Sequence, residues 1–474
     1  MIKKIKYLIA KIAGKAAISG IKLGKGMGKS FPGHLFLRIA SYDGLKELAK
    51  NPKFGSILIT GTNGKTTTTK LLIKLMEKEY KLAYNYESNT INAITTGLLN
   101  SNSDFGIFEY GIRDVKHGIP DKIQEFISPV GVVYTNISRE HSQVAGVKNK
   151  FEDYIFAKSL LIKNMKEGII ISNGNNPYTT YVTEEKIKKD SNNLKINYFT
   201  SSINLESMDK MCPYCFKPLQ YEISEDDIFY NCECGFSKVE SDVQINEVEI
   251  TKEKWSFKVS GNPYNYFLKK HFKFEFECNF PSIGSHNINN SLTAITTYAS
   301  FTHNISNFKN NVQDVFRELD KGILPPGRFE IFNIENNNKT VGLGQGDNGE
   351  ALNVNVQFMQ LVMENDNLHF IYTSPDDYEE DIFKDHLKII KKANPVKISV
   401  LPGRESVKMA KYCYDILKES YNVCFYPIEE LNNRIIKIHE IILSSDADYV
   451  IASGCGEEQR MWESIKENVK EIIK

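Results

Sequence analysis

The chain has 474 residues, 41% of them hydrophobic, with basic and acidic side chains equal at 59 each. That much apolar material supports two or three domain cores and excludes disorder as the dominant state. Zero net charge withholds the electrostatic excess of a general nucleic-acid binder, so no nucleic-acid partner is expected. The balance is uneven, however: residues 1–42 carry eight lysines and Arg38, and no acid precedes Asp43. A basic leader is joined to an acidic body. No apolar run approaches the roughly 18–20 residues that cross a bilayer, so neither a membrane-spanning helix nor a cleaved signal is expected. Four of the eight cysteines cluster as Cys212, Cys215, Cys232 and Cys234, and the others are scattered. This distribution suits one metal site in a reduced, cytoplasmic protein better than a disulfide framework.

The leader, residues 1–45, reads as helical and weakly amphipathic, with Tyr7, Leu8, Ile12, Ile18 and Ile21 among the lysines. Two uses compete for it, and the weak pattern does not decide between them: a solvated helix packed on the domain, the favoured use, and contact with an anionic membrane surface. From residue 56 short apolar runs, Ser56–Thr60, Phe105–Tyr110, Val130–Asn136 and Gly168–Ser172, alternate with helical patterns. This is the rhythm of an α/β fold with a mostly parallel sheet. It stops at a cysteine-bearing insert between about 203 and 245, after which alternating, antiparallel strands are expected over 245–280. Ile323–Phe329, with two prolines and a glycine, reads as a linker. A second α/β rhythm follows: Lys397–Leu401, a helix over 405–419, Asn422–Tyr426 and Tyr449–Ser453. The expected organisation is a basic helical segment at 1–45, a central nucleotide-binding domain at 46–322 with the insert at 205–240, and a C-terminal Rossmann-like α/β domain at 323–474.

The sharpest local signal is Thr60-Gly-Thr-Asn-Gly-Lys-Thr-Thr-Thr68, directly after a strand and before a helix with Leu71, Leu72, Leu75 and Met76 on its apolar face. Glycines let backbone N–H groups approach phosphate, the helix N-terminus favours negative charge, Lys65 adds a cation, and the Thr66 hydroxyl suits magnesium. Ile59 stands where the strict phosphate-loop pattern has glycine. The insert supplies a second signal. Cys212-Pro-Tyr-Cys215, sixteen further residues and Cys232-Glu-Cys234-Gly235 form two knuckles whose four thiolates suit a closed tetrahedral zinc site, structural rather than catalytic.

The loop resembles that of the Mur ligase family, which tolerates the missing glycine. Further segments match the family in order: Phe108-Glu109-Tyr110-Gly111, Thr135-Asn136-Ile137 with His141, Ala157-Lys158, Gly284 with His286, Asn287 and Asn290, and Pro326-Gly327-Arg328-Phe329. The resemblance implies a ligase that joins a carboxylate to an amine through an acyl phosphate made from ATP. It places Thr62, Asn63, Gly64, Lys65, Thr66 and Thr67 on the nucleotide phosphates, and Thr66, Glu109 and His141 on magnesium. Lys158 would be carbamylated near the metals, Asn287 and Asn290 would face adenine, Arg328 the phosphates after domain closure, and Asp347 the ribose or the hinge. Singly, Glu109 and His141 read as ordinary surface residues; their order behind a phosphate loop sets them apart.

The zinc ribbon, the lysine-rich leader and Phe31-Pro32-Gly33 narrow the resemblance to the MurT type of subunit of lipid II isoglutaminyl synthase. That branch implies a cell-wall precursor carrying a peptide or glutamate carboxylate, and a GatD-like glutaminase partner that supplies ammonia. With the loop at residue 60, no room is expected for the UDP-binding N-terminal domain of other Mur ligases. Past residue 330 the branch's Asn-Pro-Ala-Gly and Asp-x-Ser-Trp segments are replaced by Gly344–Gly349 and Asp376–Glu379, which weakens the expectation of a glutaminase. A stand-alone archaeal pseudomurein peptide ligase adding an amino acid is the alternative within the family. A nucleotide-binding scaffold without acyl transfer stays open as another class. The acids of the insert, including Glu222, Glu225, Asp226, Asp227 and Glu233 against Lys210 and Lys217, oppose a ribbon that grips nucleic acid.

Overall fold

The computed structural model describes residues 2–23, 29–85, 88–100, 102–138, 151–189, 193–201, 210–223, 228–250, 254–281, 286–319, 329–334, 339–404, 407–456 and 458–473. Strands are numbered in chain order. The first group comprises β1 Ser56–Thr60, β2 Leu82–Asn85, β3 Phe105–Glu109, β4 Gly131–Tyr134, β5 Glu167–Asn173 and β6 Asn193–Ser201. Next come a separate hairpin, β7 Gln220–Ile223 and β8 Ile228–Asn231, and then β9 Val243–Ile250 and β10 Lys254–Gly261. A two-residue pair, β11 Tyr264–Asn265 and β12 Lys270–His271, precedes β13 Phe274–Pro281. Nine of these strands make one sheet in the order β13-β10-β9-β6-β5-β4-β1-β3-β2. It is parallel from β2 to β9, and β10 and β13 complete it antiparallel.

All five residues of β1 are buried, as expected of a parallel strand covered on both faces. Ile57 and Ile59 point into one apolar cluster with Leu71, Leu72, Leu75 and Met76 of helix α3 (Lys65–Met76). Leu58 points to the other face, where α1 (Ile2–Leu23) and α2 (Phe31–Leu48) contribute Ala10, Ile18, Phe36, Leu45 and Leu48. Gly33 lets α2 press against helix α4 (Ile91–Leu99): a Cβ there would collide with the Asn92 carbonyl. No helix among the described residues is long and apolar enough to cross a membrane.

The second sheet has β14 Glu330–Ile334, β15 Lys339–Gln345, β16 Leu368–Ser374, β17 Lys397–Pro402, β18 Val423–Phe425 and β19 Tyr449–Gly454, in the order β14-β15-β19-β16-β17-β18. Only β14 is antiparallel. Expected strands sit within about two residues of their anticipated ends, and the anticipated helix over 405–419 occupies Val407–Leu417. β2, β6, β14, β15 and β16 are among the additions to the sequence reading. β2 is short and keeps Tyr84 39% exposed, so its four residues lack the continuous apolar run that marks a buried strand.

Candidate active site and zinc ribbon

In the first sheet the chain passes from β1 to β2 at the edge, returns to β3 between them, and then places β4 on the other side of β1. Ligands of open α/β sheets bind beyond the carboxyl ends of the strands at such a reversal. The carboxyl ends of β1, β3 and β4 lead into the glycine loop, Glu109 and Thr135-Asn136 respectively.

The loop is tightly held. Gly64, the residue before α3, has φ 80°, a conformation glycine adopts without a Cβ penalty. The Asn136 side-chain oxygen accepts from both the Thr62 N–H (3.1 Å) and the Asn63 N–H (2.8 Å), and the Asn136 carbonyl also accepts from Thr62 N–H (3.0 Å). The Thr135 hydroxyl donates to the Asn63 carbonyl at 2.6 Å. The Thr62 hydroxyl lies 3.1 Å from the Tyr154 hydroxyl and accepts from Ser138 N–H at 3.0 Å. Lys65 folds over the loop, its Nζ donating to the carbonyls of Gly61 (2.8 Å) and Thr62 (2.7 Å).

Thr66 faces Glu109. Its hydroxyl is 3.0 and 2.9 Å from the two carboxylate oxygens, and Glu109 is 3% exposed. Asn85 fixes the Glu109 backbone, accepting from its N–H (2.8 Å) and donating to its carbonyl (3.1 Å). A hydroxyl and a carboxylate converging beside a phosphate loop are the hard oxygen donors that magnesium takes, so the residues fit that ion. Lys158, on the helix Phe151–Ser159, is fully buried. Its Nζ donates to the Gly61 carbonyl at 3.1 Å and lies 4.5 Å from the centre of the Tyr154 ring. The structure therefore brings Lys158 to the floor of the glycine loop, 97 residues away in sequence.

A cleft runs from the loop to the second sheet, lined by Asn63, Gly64, Thr67 and Asn290 on one side and by Phe329, Gln345, Glu350 and Asn355 on the other. Asn290, an expected adenine contact, stands against Gly64 and accepts from the Thr68 hydroxyl at 3.4 Å. Asn348 donates to the Asn63 side chain at 3.3 Å, joining the two sheets directly over the loop. Asp347 lies beside the cleft and pairs with the Gln345 amide. His141 and Arg328 lie outside the described residues, as does the side chain of Asn287. Asn136, Asn85 and Asn348 were not anticipated as site residues. Asn136 falls inside a recognised segment, but its partners are revealed only by the fold.

In the insert, the Cys212 and Cys234 sulfurs are 3.5 Å apart and those of Cys215 and Cys232 are 3.4 Å apart. All four ligand atoms lie within 4.8 Å of one another. A tetrahedron with Zn–S bonds of about 2.3 Å has edges of about 3.8 Å, so four thiolates in this arrangement fit zinc. Burial pushes the Cys212 thiol up to about 12, whereas the Phe236 backbone N–H helps bring Cys234 down to about 7. Leu219, Tyr230 and Phe236 pack beneath the sulfurs, and the Tyr230 hydroxyl donates to Thr180 at 2.9 Å, fastening the ribbon to the first α/β unit.

Residues 59–211 match the Mur ligase middle domain. Over 157 residues the chain is 34% identical to the UDP-N-acetylmuramoyl-tripeptide–D-alanyl-D-alanine ligase of Borreliella burgdorferi, a stretch covering 32% of each chain. Over 328 residues it is 26% identical to the MurT subunit of the glutamine-hydrolysing lipid II isoglutaminyl synthase of Streptococcus pneumoniae, covering 65% of this chain and 64% of that one. The chain thus spans between about a third and just under two thirds of these relatives' lengths. A pseudomurein peptide ligase type C from Methanothermus fervidus shares the fold with a TM-score of 0.64 at 18% identity, over 93% of this chain and 84% of that one. The MurF ligase of Thermotoga maritima, solved in complex with ADP, does so with a TM-score of 0.61 at 11% identity, over 91% and 83%. The chain carries a Mur ligase middle domain, in a Mur ligase α/β fold with a cysteine cluster suited to a zinc ribbon, and is related to the Mur ligases.

Proposed function

We propose that the protein is an ATP- and magnesium-dependent carbon–nitrogen ligase that forms an amide on a peptide-bearing cell-wall precursor, in the cytoplasm, through an acyl phosphate. The observation that carries this reading is Thr66 facing the buried Glu109 at the mouth of an ordered phosphate loop. In the first step a carboxylate oxygen of the precursor bonds to the γ-phosphorus and the bond to the β-phosphate oxygen breaks, releasing ADP. In the second, the amine bonds to the acyl carbon, inorganic phosphate leaves, and the nitrogen gives up a proton. Two anions must meet in the first step, so catalysis consists largely of positioning and charge neutralisation.

Lys65 and the loop N–H groups would bind the β- and γ-phosphates, and Asn290, with Asn287, would face the adenine. Thr66 and Glu109 would hold magnesium, which when bound neutralises phosphoryl charge. His141 and a carbamylated Lys158 are assigned to a second ion by family resemblance, as are Arg328 to the phosphates and Asp347 to the ribose or hinge. The cysteines would hold structural zinc.

The amine separates two readings. Similarity to MurT supports ammonia delivered by a GatD-like glutaminase. The resemblance of Lys158 and Glu109-Tyr110-Gly111 to the matching segments of amino-acid-adding Mur ligases supports a stand-alone ligase that adds an amino acid. The test is incubation with ATP, magnesium and glutamate-terminated precursors, with amino acids in one arm and glutamine plus a co-purified partner in the other. A mass gain of one residue selects the stand-alone ligase, and conversion of acid to amide selects the MurT-like route. Absence of acceptor-dependent ADP release in every arm overturns the ligase assignment in favour of a nucleotide-binding scaffold.

A further inference from the structure

Helix α1 buries one side and leaves a second apolar side uncovered. Ala10, Gly14 and Ile18 are buried against the body, and the Tyr7 ring meets Phe36 edge-on at 5.9 Å. With 3.6 residues per turn, Ile5, Leu8, Ile9 and Ile12 fall on the opposite side as a single ridge. They are 50%, 58%, 52% and 61% exposed. Isolated apolar side chains on a surface are ordinary, but four large aliphatic residues at i, i+3, i+4 and i+7 form a contiguous patch. The same helical spacing sets Lys4, Lys11 and Lys15 along one flank of the ridge and Lys6 along the other, and no acid occurs before Asp43.

We infer that this outward ridge of α1 docks the protein on an anionic phospholipid surface. The apolar side chains enter the boundary between headgroups and acyl chains, and the flanking lysines reach the lipid phosphates. The charge pattern chooses the occupant. Two copies of the chain meeting through this ridge would bring lysine-lined flanks together without a carboxylate on the helix to separate them, whereas a bilayer carrying negative headgroups satisfies both features at once. The inference goes beyond the ligase reading and does not depend on it, because vesicle binding is read without nucleotide.

The test is flotation of the full chain with vesicles of phosphatidylcholine alone and of phosphatidylcholine mixed with phosphatidylglycerol. The chain is expected to float with the mixed vesicles only and to be released by salt. Ile9→Ser combined with Ile12→Ser should abolish flotation while leaving the unfolding transition unchanged, since both side chains face solvent. Lys4→Gln and Lys15→Gln should each weaken binding by roughly fivefold. Failure of the parent chain to float, or equal flotation of the serine variant, overturns the inference. So does a concentration-dependent dimer that the serine variant abolishes, which would assign the ridge to a second copy.

Discussion

Lys210 and Glu350 meet between the base of the zinc ribbon and the second sheet's first long helix: the lysine Nζ lies 3.2 Å from a carboxylate oxygen, with the side chains 7% and 11% exposed. Lys210 accepts the Leu219 N–H through its carbonyl, at the foot of the first cysteine knuckle. Glu350 lies in the first turn of the helix Gly349–Val362 and lines the cleft. The ion pair therefore ties the ribbon to the second sheet at the edge of the candidate nucleotide site. Removing one partner of a buried pair leaves a charge out of water, so Lys210→Ala should destabilise the protein by about 3–5 kcal/mol. Chemical denaturation of the two single variants, the double variant and the parent, read as a cycle, checks it. The double variant should cost less than the sum of the singles.

Replacing Lys65 by alanine should lower kcat of ligation by roughly 10²–10³-fold, the usual effect of removing one group that stabilises developing charge. Glu109→Gln should instead raise the magnesium concentration needed for half-maximal turnover, because a neutral amide replaces the carboxylate facing Thr66. Magnesium titrations at saturating ATP distinguish the two effects.

Asn136→Ala should loosen the loop without touching a phosphate-binding side chain, since one amide oxygen serves the N–H groups of both Thr62 and Asn63. Calorimetry should show ADP binding weakened by about 1–3 kcal/mol, the cost of leaving the Asn63 N–H unpaired, since the Asn136 carbonyl still accepts from the Thr62 N–H. Unchanged affinity would mean that the loop is ordered by its other contacts.

Elemental analysis should find one zinc per chain, and Cys212→Ser should abolish it. Because Cys212 is fully buried under the ribbon, that variant should also expose the ribbon to proteolysis, and strong chelation of the parent protein should have the same effect.

His369 offers a pH test away from the site. It is buried between the hydroxyls of Ser445 (2.8 Å) and Ser399 (2.9 Å). Burial, with Lys397 and Lys339 nearby, lowers its pKa to about 4. Between that value and the ordinary histidine range the unfolded chain binds more protons than the folded one. Stability is therefore complete above about pH 6.5 and falls as pH drops toward 4, by about 3 kcal/mol for this group. His369→Gln should flatten that part of the stability–pH curve, measured by urea unfolding.

Several features were legible because they are written locally. A buried five-residue strand followed by Gly-Thr-Asn-Gly-Lys-Thr at a helix start needs only adjacent residues to act, and so do two cysteine knuckles. Glu109 and Lys158 were found through resemblance to a family rather than through any property of their neighbours. Asn136 escaped notice because its side-chain amide serves N–H groups 73 and 74 residues earlier in the chain. The ridge on α1 was half seen: the lysines and several apolar positions were evident, but which apolar side faces the body depends on α2 and α4.

By itself, then, the sequence determined a basic leader on an acidic body, a glycine-rich strand-to-helix loop, a cluster of four cysteines and an α/β rhythm, because each rests on contacts or spacings within a few residues. Tertiary structure alone decided that Thr66 faces Glu109, that Lys158 lies under Gly61, that Lys210 meets Glu350, and that Ile5, Leu8, Ile9 and Ile12 are left uncovered. These depend on strand order and on how helices pack across the sheets, where the energy of burying a face or pairing a charge is shared among residues far apart in the chain.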